Sequence, residues 1–189
     1  MSTRSVVAGK PAPDAGGSTG PLVALYEEEI LAHDLYVAFG KRWPDVRPFQ
    51  NIPRSEQMHR EAMAGVLKAN GVPVPPNRVS GAFATPELSA LFQKLSGQGA
   101  RSEIEALRAG ALIEETDIAD LRRARAEARS ESDKAVFAGL EAASGNHFRA
   151  FVRNIQARGG TYDPTVLSRS DAEAILAASP SNRGRSGCR

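Results

Sequence analysis

Four long stretches of this chain place apolar residues at alternating intervals of three and four, and each seam is broken near its middle by a glutamate or a histidine. That alternation puts the apolar side chains on one stripe of an α-helix, so the chain must bury four stripes against one another. The first runs Leu22, Tyr26, Glu29, His33, Tyr36 and Gly40, and Trp43-Pro44 is expected to end its helix. The second, from Gln50, runs Ile52, Glu56, His59, Met63, Val66 and Asn70, until Gly71 and the prolines at 73, 75 and 76 break it. The third, from about Ser102, carries Ile104, Leu107, Ala111, Glu114, Ile118 and Leu121. The fourth, from about Ser132 to Arg158, carries Phe137, Leu140, Ser144, His147, Phe151 and Ile155, and Gly159-Gly160 stops it.

The connection between the second and third stripes sets the topology. Residues 71–100 contain a short helix near Pro86 to Leu95, opened by Thr85-Pro86. A helix of twenty residues is about 30 Å long, and a linker of this length can return along it, so the second and third helices run parallel. The expected fold is therefore all-α: an up-down four-helix bundle with one long crossover between the second and third helices, the ferritin-like arrangement. With 189 residues, the chain has room for one domain of ordinary size. Residues 1–20, clustered in Gly, Pro and Ser, read as a flexible tail, residues 21–167 as the bundle, and residues 168–189 as a short helix followed by a second flexible tail.

Composition removes several classes of function. The 24 basic and 22 acidic residues leave a formal charge of +2, so there is no strong nucleic-acid signal. No apolar run is long enough to span a membrane and no secretory signal opens the chain, so a cytoplasmic protein is expected. The lone Cys188 excludes an intrachain disulfide and a cysteine-built zinc or iron centre. The expected partners are metal ions and a second copy of the chain in a homodimer.

Unpaired carboxylates in a helical core cost several kcal/mol, so something must compensate Glu29, Glu56, His59, Glu114 and His147 where the seams meet. A bound cation does so, because it keeps carboxylates ionised. Glu29 lies about 11 Å from one end of its helix, and Glu56 and His59 lie about 9 to 14 Å from the other end of an antiparallel one, so the sets meet near the middle. The i, i+3 spacing of Glu56 and His59 offers oxygen and nitrogen ligands from one face. Glu27, Glu28 and Glu115 are read as solvated charges, Asp34 and Asp120 as surface or capping residues, Tyr26 and Tyr36 as core residues, and His33 as a hydrogen-bonding neighbour of the site.

The segments E-I-L-A-H-D-L-Y (29–36), S-E-Q-M-H (55–59), G-A-L-I-E-E-T-D-I-A-D-L (110–121) and S-G-N-H-F-R-A-F (144–151) resemble the ferritin-like family known as domain of unknown function 2202, a relative of the rubrerythrins, over roughly residues 22–167. The resemblance implies metal ligands at Glu29, at Glu56 and His59, at Glu114 with Asp117 three residues on, and at His147. It departs at Ser144, where the rubrerythrin pattern has a glutamate, so the half of the core nearest His147 is expected to be short of negative charge and to bind a second ion more weakly. Either Glu141, one turn earlier, reaches in, or Asp117 and His33 complete a lopsided or single-metal site. The implied function is a ferritin-like metal-binding protein, mono- or dinuclear, with iron first and manganese or zinc as alternatives, acting on oxygen or peroxide as a di-iron type oxidoreductase. The alternative is a helical structural or interaction module with a degenerate metal site, its carboxylates satisfied by His33, His59, Asn146 and Tyr36.

Overall fold

Serine, threonine and proline open the helices where the sequence places them. Thr85, Ser102, Ser130 and Ser168 stand in extended backbone and accept a hydrogen bond from the N–H three residues on, which satisfies one of the free donors of the first turn. Gly71 (φ 68°) and Gly159 (φ 74°) take the left-handed conformation that ends a helix without a Cβ penalty. A computed structural model describes residues 19–76 and 78–178; residues 1–18 and 179–189, the bulk of the two expected tails, lie outside the described residues. Among the described residues there are seven helices and no strand: α1 (Thr19–Arg42), α2 (Arg47–Asn51), α3 (Pro53–Ala69), α4 (Pro86–Gly99), α5 (Glu103–Glu127), α6 (Glu131–Gln156) and α7 (Arg169–Ala177). None is long and apolar enough to cross a membrane.

Three bounds differ from the sequence reading. Thr19 and Gly20, expected in the tail, form the first turn of α1. The second stripe belongs to two helices, because Pro53 lacks the N–H that would continue α2 and instead opens α3. The helix in the crossover runs four residues beyond Leu95, to Gly99, where the Trp43 indole N–H donates to the Gly99 carbonyl at 2.9 Å.

The long helices pack as two pairs, α1 against α3 and α5 against α6, and the pairs face each other through α1–α5 and α3–α6 contacts. Directions follow from the residues that meet. Ile52, just before α3, belongs to the cluster around Phe39, while Met63, Val66 and Leu67 late in α3 belong to the one around Leu25, so α1 and α3 are antiparallel; Asn70, which caps the end of α3, donates to Asp133 at the start of α6 at 2.9 Å, so these two are also antiparallel. Tyr36 near the end of α1 donates to the Gly110 carbonyl near the start of α5 at 3.3 Å. Consequently α3 and α5 run the same way, and the 70–102 crossover carrying α4 makes the return.

Two apolar clusters fill the interior. One gathers Tyr36, Phe39, Phe49, Leu107, Phe151 and Ile155; the other gathers Leu25, Met63, Leu67, Leu121, Phe137 and Leu140. Each fully buried Leu or Phe side chain contributes roughly 1.5–3 kcal/mol by leaving water. In α1 and α6 the polar interruption falls between residues of the two clusters, and in α5 Glu114 follows Leu107 and Ala111 of the first and precedes Leu121 of the second, so the glutamates and histidines form a polar layer in an otherwise apolar interior. Close packing in the first cluster depends on Gly110, where an added Cβ would lie 2.6 Å from the Phe151 ring, itself held between Tyr36 and Phe49.

Carboxylates expected in solvent instead anchor the loops. Glu27, 2% exposed, accepts the Ala84 N–H at 2.7 Å and faces Arg78 at 3.7 Å, while Asp34 accepts the Gly81 N–H at 3.2 Å; both tie the crossover to α1. Glu115, 0% exposed rather than outside, accepts the N–H groups of Thr165, Val166 and Leu167 at 2.6–2.8 Å and the Tyr162 hydroxyl at 2.6 Å. One buried side chain thus serves three backbone donors of a loop that lies over it.

Candidate metal centre

Glu56 occupies the middle of the polar layer with a histidine on each side. Its Oε2 lies 2.9 Å from Nδ1 of His59, and its Oε1 lies 2.8 Å from Nδ1 of His147. Each histidine then meets one further carboxylate: His59 Nδ1 is 3.3 Å from Glu29 Oε2, and His147 Nδ1 is 3.4 Å from Glu114 Oε2. The two imidazoles face each other with centroids 5.4 Å apart and planes inclined by 21°. Ligand atoms of Glu56, His59 and His147 all lie within 4.8 Å of one another, a grouping that can hold a metal ion.

The elements supply this geometry through their periodicity. The i, i+3 step brings Glu56 and His59 to one face of α3, while Glu29, Glu114 and His147 come from α1, α5 and α6 at the same depth. Burial is nearly complete, with Glu29, Glu56 and Glu114 each 2% exposed and His59 5% exposed. Despite the short separations, Nδ1 of His59, Nδ1 of His147, Glu29 Oε1 and Glu56 Oε1 are buried without a directed hydrogen bond. On its other nitrogen, His59 Nε2 pairs with Ser55 Oγ at 3.2 Å. With Nε2–H donating to that serine, the Nδ1 lone pair faces carboxylate oxygens, which is repulsive unless a cation stands between them.

Of the six residues expected as ligands, the structure links five in a chain of contacts, Glu29–His59–Glu56–His147–Glu114, and sets Asp117 beside them. Ser144 Oγ donates to Asp117 Oδ2, and Asp117 Oδ1 remains buried and unpartnered. The expected shortage of negative charge beside His147 does not appear, because Glu56 and Glu114 surround that ring much as Glu56 and Glu29 surround His59. Glu141 does not reach in; it is paired with Arg122 and Arg125, each at 2.8 Å. His33 is not a neighbour of the site, since its Nδ1 pairs with Asp34 at 3.1 Å on the outer side of α1, and Asn146 is engaged by Arg149. Asp120, expected at the surface or as a cap, is half-buried and pairs with Arg123, and Tyr26 is core as expected. Tyr36 is core too, and in addition its hydroxyl donates to Glu114 Oε1 at 2.7 Å.

Two participants escape the sequence reading. Ser55 carries a faint signal, lying one turn before His59 on the same face. Glu28, expected in solvent, is instead driven by burial up to about 8, with Asp120 and Asp117 adding to the effect and Arg123 opposing it.

Without metal, the layer must hold protons. Burial opposes the charge on both histidines, but Glu29 and Glu56 outweigh it at His59, raising it to about 11, and Glu114 and Glu56 do so at His147, raising it to about 10. Burial also raises Glu29 to about 8, against the pull of His59. At Glu56 burial is overcome by the two imidazoliums, which hold it below the usual carboxylate range. Groups raised in the folded state stabilise it below their ordinary values, and that contribution is lost as the pH climbs through the folded values. The metal-free protein is therefore expected to lose stability between about pH 5 and pH 10, through the Glu29 window from 4.5 to about 8 and the histidine window from 6.5 to about 10 or 11. Glu56 acts oppositely, and only below 4.5. Calorimetric melting of chelator-treated protein across this range measures the trend; a midpoint that rises toward pH 9 contradicts it.

Residues 19–179 match the family described as an uncharacterized protein domain, DUF2202, and the chain belongs to that family. A relative from Methanocaldococcus jannaschii, the uncharacterized protein MJ0754, is 38% identical over 159 residues, covering 84% of this chain and 85% of the relative. The crystal structure of the hypothetical protein MJ0754 from Methanococcus jannaschii is similar, with a TM-score of 0.82 and 34% identity, covering 93% of this chain and 99% of that one.

Proposed function

We propose that this protein is a ferritin-like metalloprotein of the rubrerythrin type, with a centre of one or two ions in the polar layer. Glu56 would lie between two ion positions, one served by Glu29 and His59 and the other by Glu114 and His147, with Asp117 close at hand. The observation that carries this reading is the pair of buried Nδ1 atoms, each 2.8–2.9 Å from an opposite oxygen of Glu56 with no directed hydrogen bond. Parallel α3 and α5 joined by a long crossover support the ferritin-like comparison. Mixed imidazole and carboxylate donors suit iron, and manganese or zinc as alternatives; a bound iron pair supplies oxygen or peroxide chemistry.

The chain's own residues prepare the site in three ways. Ser55 orients His59, Tyr36 orients Glu114, and the flanking apolar clusters keep bulk water away, which strengthens every charge interaction inside. Elemental analysis after anaerobic reconstitution with ferrous iron is expected to give between one and two ions per chain. Less than a tenth of an equivalent, with no gain on adding manganese or zinc, rejects the reading.

One contact favours the alternative of a structural module with a degenerate site: Ser144 satisfies an oxygen of Asp117 from within the protein. Thermal melting separates the two. A metal held only by the native state raises the midpoint, whereas a module melts alike with chelator and with metal.

A further inference from the structure

On the side of the polar layer away from His147 lies a cavity of about 100 Å³ between α1, α4 and α5. Burial varies among the lining residues: Glu28, Leu91, Leu112 and Thr116 are half-buried, while Glu29, Glu56, Glu114 and Asp117 are buried. The walls between are aliphatic, from Leu31, Ala32, Leu95 and Ile113. The half-buried lining residues mark the side nearer solvent, the mouth, and the buried carboxylates of the candidate metal centre form the deeper floor. Glu29 Oε1 and Asp117 Oδ1, both unpartnered, belong to that floor.

We propose that this cavity binds a short, uncharged organic molecule of two to four carbons, its apolar body on the leucines and its polar or reactive end toward the carboxylate floor. Placing that end beside an ion rests on the metal-centre reading; occupation of the cavity does not. Three physical arguments select the class. A cavity of about 150 Å³ takes benzene, so about 100 Å³ accommodates a smaller guest. Aliphatic walls offer a hydrated ion no replacement for its water. Among the described residues, no Lys, Arg or His side chain lines the cavity, so an anion of the same size would give up its hydration without meeting a cationic partner on the walls.

The outer wall is the crossover itself. Leu91 and Leu95 stand on α4, outside the four helices that carry the expected ligands, so the long connection has a use beyond reversing the chain: it roofs the approach to the centre. A substituent at Leu112 or Leu91 narrows the mouth without touching a candidate ligand.

The test uses methyl-labelled full-length protein, with and without metal, and three probes: xenon, 1-propanol and propionate. Xenon and 1-propanol are expected to shift the methyl signals of Ala32 and Ile113 in both forms, with propionate binding at least tenfold more weakly. Leu112→Trp should reduce these shifts at least fivefold while metal content, read on the same sample, stays unchanged; Leu91→Phe serves as a second obstruction if the first variant does not fold. Failure of xenon to enter, equal binding of propionate and 1-propanol, or full binding in the folded obstructed variants overturns the proposal. Absence of metal from the unmodified protein overturns the metal reading instead and leaves the probe result interpretable.

Discussion

Replacing Glu56 with Gln is expected to reduce metal affinity by more than a hundredfold and to leave less than a tenth of an equivalent bound after reconstitution. Gln keeps the shape of the side chain, so the packing of the layer is retained and the effect reports charge. Loss of an outer-shell partner alone costs a metal site about 10–100-fold, and Glu56 faces both imidazoles, at 2.8 and 2.9 Å. No other carboxylate among the described residues does so: Glu29 serves His59 and Glu114 serves His147. Substituting either of these should therefore impair one position and spare the other, whereas Glu56→Gln removes the element common to both. In the metal-free protein the same change should lower the titration of His59 and His147, because each loses a charge that opposes its burial. Calorimetric titration with ferrous iron and imidazole resonances followed with pH measure the two consequences. Two ions still bound tightly by the Gln variant would show that Glu56 is only a structural acceptor.

The second large effect lies outside the centre. Glu115→Ala should lower the melting temperature by about 10 °C and release the segment that leads to α7. Its carboxylate collects three backbone N–H groups and the Tyr162 hydroxyl at full burial. Each hydrogen bond to a charged group contributes about 1.5–3 kcal/mol, reduced here because Thr165 and Val166 are exposed and water can take the place of the carboxylate. A net loss of about 3–4 kcal/mol corresponds to roughly 6–16 °C in a chain of this size. Hydrogen exchange localises the effect: amides 162–177 should open first, with α1 and α3 protected. Glu173→Ala, on the exposed face of α7, is the control and should change little. A melting shift below 2 °C would show that the loop holds its shape by other contacts, such as the Tyr162–Phe148 ring packing.

The two glutamates at 114 and 115 mark where sequence reasoning reaches and where it stops. Glu114 sits on an apolar stripe, and helical periodicity alone turns it toward the core with Leu107, Ala111 and Leu121. Glu115 is one position off that stripe, and a 100° turn of the helix places it on the expected solvent side. What buries it is the 162–167 segment, about fifty residues later, and no local pattern announces that a loop will fold back over a helix face. Glu27 is the same case with the crossover as its cover.

By itself, the sequence determined the four long apolar stripes, most of their stops, and the face on which Glu29, Glu56, His59, Glu114 and His147 lie, because 3.6 residues per turn and 1.5 Å per residue convert spacing directly into face and height. Ser, Thr, Pro and Gly at the boundaries act within a few residues of themselves, so their effect is also local and readable. Only the tertiary structure decided that Glu56 stands between the two histidines, that Ser144 is spent on Asp117, that Glu141 turns away to Arg122 and Arg125, and that α4 roofs a cavity. Each of these depends on which side chain from a distant helix arrives first at a shared point. That is fixed by close packing across elements rather than by any repeat along the chain.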